Sequence, residues 1–161
     1  MKKHFPIFMV LAIVLASCSA SKAVHEKRNQ LSGTWSLNDI SYENLEGKFT
    51  SVLFNDADET CFEGSEWFFR DNNSTGRYTI APSADCNGGD RYIRWSVVDN
   101  AESYSSQLQF KMIDANNKDI SGGLGYRLNI ASLTAQEMTL KSNAKVDDEV
   151  VTLVYKFTKK Q

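Results

Sequence analysis

Gln107-Leu108-Gln109-Phe110-Lys111-Met112 alternates polar and apolar side chains without a break. Successive side chains of an extended strand point to opposite faces, so this stretch has one wet face and one buried face. That is the pattern of an antiparallel sheet solvated on a single side. The same period of two recurs outward in both directions. Leu31, Gly33, Trp35 and Leu37 share a face; Trp67 and Phe69 alternate with Glu66 and Arg70, and Tyr78 and Ile80 with Arg77 and Thr79. Ile93, Trp95 and Val97 alternate with Arg94 and Ser96, and Tyr126, Leu128 and Ile130 with Arg127 and Asn129. Met138 and Leu140 alternate with Glu137, Thr139 and Lys141, and Val151, Leu153, Tyr155 and Phe157 with Thr152, Lys156 and Thr158. These are eight segments, and their separators carry turn chemistry: Asp71-Asn72-Asn73, Asn87-Gly88-Gly89, Asp114 to Asn117, Ser121-Gly122-Gly123, Asn143 and Asp147-Asp148. Short sequential connections favour an all-β, up-and-down, eight-stranded antiparallel β-barrel, which also removes exposed sheet edges. An open two-sheet sandwich is the alternative.

One region departs from the pattern. Between Tyr42 and Ser65 the alternation fails, and Phe49, Val52 and Leu53 have helical spacing, so a short helix or a covered loop is expected there. Asp56 and Asp58 follow, but the glycine and distal glutamate of a calcium loop are out of register, which leaves solvated loop acids.

The chain opens with the positive Met1-Lys2-Lys3, an apolar run from Ile7 to Leu15, and the small residues Ala16 and Ser17 before Cys18. This is a secretory signal, too short to span a bilayer comfortably. Leu15-Ala16-Ser17-Cys18 resembles the lipobox of bacterial lipoproteins. The resemblance implies that 1–17 is a signal peptide, that Cys18 carries diacylglycerol, with a further acyl chain such as palmitate on its amine, and that the protein is anchored to the outer membrane of a bacterial cell envelope. Two or more chains hold a protein stably where one does so marginally. The alternative is an ordinary signal cut near Ala20 or Ala23. Residues 18–30 are small and polar without apolar periodicity and read as a flexible tether ahead of one domain over 31–161. No acidic run follows Cys18, which favours a periplasm-facing position.

Removing 1–17 takes away Lys2 and Lys3, leaving 16 basic against 20 acidic residues, a charge of −4. No basic run is present to bind nucleic acid, and a monomer is expected. With Cys18 lipidated, Cys61 and Cys86 remain as an even pair in an exported protein, and a structural disulfide is the expectation. Closing a loop of about 25 residues stabilises by roughly 3 kcal/mol in the chain-entropy picture. A metal or redox site is the alternative; only His25 survives cleavage, so neither a histidine metal centre nor a Ser-His-Asp triad can be built in the domain. The chain has no nucleophile elbow, phosphate-binding glycine loop or His-Glu-x-x-His helix. Glu63, Glu66 and Asp85 are the carboxylates that could share one mouth of a barrel, a weak pointer to glycoside chemistry. No catalytic residue, cofactor or metal is assigned.

Leu31-Ser32-Gly33-Thr34-Trp35 places a Gly-x-Trp at the first strand of this meander. With Cys61-Phe62-Glu63-Gly64-Ser65-x-Trp67, Thr75-Gly76-x-Tyr78, Arg91-x-Ile93-x-Trp95, Gly125-Tyr126-x-Leu128 and the closing strand Val150 to Phe157, the chain resembles the lipocalin-like lipoproteins of bacterial envelopes over nearly all of 31–160. The resemblance implies a barrel whose base is plugged by Trp35 after a bend at Gly33, a Cys61–Cys86 bridge, and a basic residue over the Trp35 ring, for which Arg127 and Lys156 are the candidates. It departs from classical lipocalins in lacking an obvious C-terminal helix. Trp67, Phe69, Tyr78, Ile93, Trp95, Phe110, Tyr126 and Leu128 point inward in the expected registers and are the candidate ligand-binding residues. Such walls suit a small hydrophobic molecule, a lipid or fatty acid. Bulky aromatics can equally fill a small barrel, making it a structural or protein-interaction module without a ligand.

Overall fold

Val24, Lys27, Arg28 and Leu31 recur at helical spacing, and residues 22–31 form a helix, α1, that lays this face against the barrel. The computed structural model describes residues 22–43, 51–100, 105–146 and 149–161. The expected signal peptide, Cys18, Phe49 and the Asp147-Asp148 turn lie outside them. The expected flexible tether is corrected over 22–30. Half of the helix's contact face is cationic, so it shows no apolar stripe in the sequence, and Leu31 ends the helix instead of starting the first strand.

The strands follow in order: β1 (Gly33–Glu43), β2 (Val52–Leu53), β3 (Ala57–Asp58), then a one-turn helix α2 (Glu59–Phe62), β4 (Glu66–Arg70), β5 (Thr75–Ile80), β6 (Gly89–Asn100), β7 (Ser105–Ile113), β8 (Tyr126–Leu133), β9 (Glu137–Val146) and β10 (Glu149–Lys159). The eight long ones close as β1-β10-β9-β8-β7-β6-β5-β4, antiparallel throughout. Each coincides with one of the alternating segments, because one buried face per strand is what a closed barrel demands. Register shifts at Leu37/Asp39 and Ile130/Ser132 bend β1 and β8.

The buried core runs through the barrel: Trp35, Phe69, Tyr78, Ile93 and Leu108 have no exposed surface. At the closed end lie α1, the 71–74 turn and the C-terminal residues, joined by Arg28 to Asp71 (2.8 Å) and Lys160 N to Thr34 O (2.8 Å). The other end, the mouth, collects 51–65, 81–88 and 114–125. The poorly patterned stretch there is a hairpin, β2–β3, followed by α2, so the expected short helix begins later than the Phe49–Leu53 spacing suggests.

Candidate functional site

Alternation decides which side chains enter the barrel, and the end of the barrel decides what they do there. Gly76 of β5 pairs with Phe69 on one side and Ile93 on the other, and a Cβ on Gly76 would lie 2.3 Å from the Phe68 carbonyl oxygen. Only glycine fits, and the wall closes tightly over this level. Phe69 and Trp95 meet edge to face at 5.3 Å, and the Trp95 Nε1–H donates to the Arg70 and Thr75 carbonyls at 3.2 and 3.0 Å. Phe69, Ile93 and Trp95 therefore fill the base of the barrel.

At the bottom, Trp35 is fully buried, its Nε1–H donating to the Leu31 carbonyl at 2.8 Å. The cation over its ring is Lys159, 5.0 Å from the centroid, and neither Arg127 nor Lys156. Parity explains the correction. Tyr155 and Phe157 face inward, so Lys156 faces out, where it pairs with Asp39 at 3.0 Å, while Lys159 continues the inward set past the barrel rim. Arg127 sits between Tyr126 and Leu128 and is exposed on the outer wall. Gly33 has a φ of +118°, and a Cβ there would press on Lys159 Cε at 3.0 Å, so this glycine admits both the bend and the lysine. A second cation, Arg28, lies 4.6 Å from the Trp95 centroid.

The mouth half is built differently. Trp67, Tyr78, Phe110, Tyr126 and Leu128 do come together there, joined by Phe62 and Tyr155, which the sequence pattern left out of the site. Into this ring of walls the β2–β3 hairpin inserts Phe54. Its ring lies 5.0 Å from Phe110, 5.2 Å from Tyr126, 5.4 Å from Phe62, 5.9 Å from Trp67 and 6.1 Å from Tyr155. The turn is closed by Asp56 N–H donating to Leu53 O at 2.9 Å, with positive φ at both central residues, Phe54 (53°) and Asn55 (51°). This is the backbone of a type I′ turn, and a bulky residue in the left-handed region is strained.

Polar groups latch the hairpin. The Tyr126 hydroxyl donates to the Phe54 carbonyl at 2.6 Å, and the Tyr78 hydroxyl and Arg91 Nε both donate to Asp56 Oδ2 at 2.9 Å. Asp56 is thus a partnered carboxylate and not the solvated loop acid expected of it. Arg91 is held in turn by the carbonyls of Gly89 and Asn87 at 2.9 and 2.7 Å. Burial and the Asp56 carboxylate drive the Tyr78 hydroxyl far above its ordinary pKa, and burial pushes Tyr155 up to about 12, so both hydroxyls remain neutral. Cys61 of α2 is bonded to Cys86, with Cα atoms 5.5 Å apart, fastening the end of the hairpin segment to the β5–β6 connection. Two clefts flank Phe54. One, about 330 Å³, runs past Asp56, Tyr78, Arg91 and Met112; the other, about 290 Å³, runs past Tyr126, Leu128, Leu153 and Tyr155.

The three carboxylates noted in the sequence are not gathered. Glu66 pairs with Lys160 at 2.7 Å, Glu63 accepts from the Ile40 N–H at 3.2 Å, and Asp85 belongs to the 81–88 connection. Among the described residues no three His, Cys, Asp or Glu side chains converge as a metal site, and no helix is long and apolar enough to cross a membrane.

A closed eight-stranded antiparallel barrel with a Gly-x-Trp base and an aromatic mouth defines a lipocalin-type protein. The lipocalin-like domain model matches residues 31–140, and the chain belongs to that family. Comparison with curated protein sequences gives no match. Among solved structures, the chain is similar to bovine odorant-binding protein in complex with a selenium-containing odorant, at 13% identity and a TM-score of 0.42, covering 83% of this chain and 73% of that one. It is also similar to the odorant-binding protein from bovine nasal mucosa, at 15% identity and 0.41, covering 82% and 72%.

Proposed function

We propose that this protein is a monomeric, lipid-anchored carrier of the bacterial cell envelope that binds a small hydrophobic molecule in the mouth half of its barrel. The observation that carries the reading is the aromatic chamber formed by Trp67, Phe110, Tyr126 and Tyr155, whose central space is filled by a hairpin side chain and not by the barrel wall. Apolar walls with a few convergent hydroxyls are the composition of small-molecule sites. Cys18 would hold the protein to the outer membrane on its periplasmic face. Cys18 lies at most about 14 Å of chain from the described start of α1, which packs beneath the closed end. The mouth then points away from the bilayer, and cargo is exchanged with the aqueous side.

Native mass spectrometry of protein extracted from its own envelope tests this. The expected result is a diacylated or triacylated Cys18 at the N-terminus and a co-purifying apolar molecule lost on denaturation. Phe54 standing in the chamber favours a second reading, a filled barrel acting as a protein-interaction module. Protein that carries no native ligand and ignores fluorescent lipophiles, fatty acids and small aromatic acids alike would replace the first reading with the second.

A further inference from the structure

We propose that Phe54 occupies the ligand's own seat, and that the barrel takes in its place a compact molecule with one aromatic ring and a carboxylate or carbonyl head group. The inference rests on the carrier reading and narrows it, excluding long acyl chains.

The seat is shaped for a ring. Four aromatic neighbours present themselves to Phe54 at interplanar angles of 71–81°, and Tyr155 stacks at 25°. Edge-to-face and stacked partners at these separations favour a flat π system over a flexible chain. The space is also shallow. Below it the fully buried Phe69 and Trp35 close the barrel, so a long chain would have no depth to enter.

The occupant is a detachable part of the molecule. Phe54 comes from a hairpin of two paired residues on each side, outside the closed sheet. It holds its ring in the chamber with a φ of 53°, which the backbone would relax on leaving. The disulfide at Cys61 fixes α2, so the motion is confined to the hairpin ahead of it.

The head group follows from what the hairpin leaves behind. Its withdrawal takes away the Phe54 carbonyl and the Asp56 carboxylate, the acceptors for the hydroxyls of Tyr126 and Tyr78 and for Arg91 Nε. Partly buried donors without acceptors are unfavourable, and the guanidinium keeps its charge, so the replacement must be an acceptor and is best an anion. A ring bearing a carboxylate restores both the packing and the hydrogen bonds that the hairpin supplied.

The test compares hydrocinnamate, propylbenzene and dodecanoate by calorimetry on the mature protein, its Phe54→Ala and Asp56→Asn variants, and Phe54→Ala with Arg91→Met. Wild type must expel its own ring before binding, which lowers its apparent affinity. The expected result is hydrocinnamate binding to Phe54→Ala at least about tenfold tighter than to wild type, with Arg91→Met removing that gain for hydrocinnamate and leaving propylbenzene unchanged. Asp56→Asn, which weakens the latch and leaves every ring in place, shifts affinity the same way and carries the test if Phe54→Ala fails to fold. Equal affinity in wild type and both variants, or dodecanoate as the preferred probe, overturns the inference while leaving a carrier. If no probe binds any variant but a native ligand co-purifies, this inference alone falls; with no native ligand either, the carrier reading falls with it.

Discussion

At the closed end of the barrel the central rings, Trp35 and Trp95, come from the wall strands β1 and β6, whereas at the mouth the central ring, Phe54, comes from a hairpin outside the wall. Both base indoles have their N–H satisfied by backbone carbonyls, and each lies under a cation, Lys159 or Arg28. The helix α1 then covers them. The mouth ring is partly buried, strained at φ, and latched by side-chain hydroxyls and one carboxylate. The base contacts tie wall strands to one another and to the helix α1, while the latch holds only a hairpin of two paired residues on each side. One end is therefore a stability device and the other an exchangeable closure, although both are aromatic plugs.

The largest expected effect lies at the base. Trp35→Ala removes a fully buried side chain with no hairpin to collapse into the space, and should cost about 3–5 kcal/mol. Phe54→Ala should cost clearly less, since its ring is only partly buried at the edge of the core, whereas Trp35 has no exposed surface. Urea unfolding of the two variants measures the contrast. Equal losses would mean that Phe54 is an ordinary core residue and that the two ends do not differ in kind.

Next in size is the disulfide. Reduction frees the loop between Cys61 and Cys86, 25 residues apart, and should cost roughly 3 kcal/mol through the unfolded chain. Amide exchange at Asp56 and Glu59, whose N–H groups close the hairpin segment, should quicken beyond that global loss. The amides of Ser32 and Lys160 at the base should follow the global loss alone. Uniform change at both ends would show that the bridge does nothing particular for the mouth.

The sequence pattern was readable wherever a residue's role is set by strand parity. Trp67, Tyr78, Phe110, Tyr126 and Leu128 are legible as inward-facing because each lies in a strand with one buried face. Phe69, Ile93 and Trp95 have the same parity, yet they fill the base. Parity states which face a side chain takes and not how far along the barrel it sits. Phe54 and Asp56 carry no periodic signal at all, because their placement follows from a turn conformation and from contacts across 22 residues to Tyr78 and 72 to Tyr126. The helix α1 carries no apolar signature for another reason: Lys27 and Arg28 do the work of apolar residues on its buried face. Lys27 reaches Asp99 and the Ser106 hydroxyl, and Arg28 bonds Asp71 and Ser74.

The smallest effect concerns the cation at the base. Lys159 places its ammonium 5.0 Å from the Trp35 centroid and donates to the Gln30 carbonyl at 2.9 Å, tying β10 to the end of α1. Lys159→Met keeps the apolar stem and removes the charge, so the loss should be about 1 kcal/mol. Arg127→Met, at an exposed wall position, should stay within about 0.5 kcal/mol. Lys156→Met, which breaks one surface pair with Asp39, should also cost no more than about 0.5 kcal/mol. Denaturant midpoints rank the three, and tryptophan emission gives an independent readout, since only Lys159→Met alters the surroundings of an indole. A loss at Arg127 or Lys156 equal to that at Lys159 would remove the cation from the base. The closed end would then owe its stability to packing and carbonyl hydrogen bonds alone.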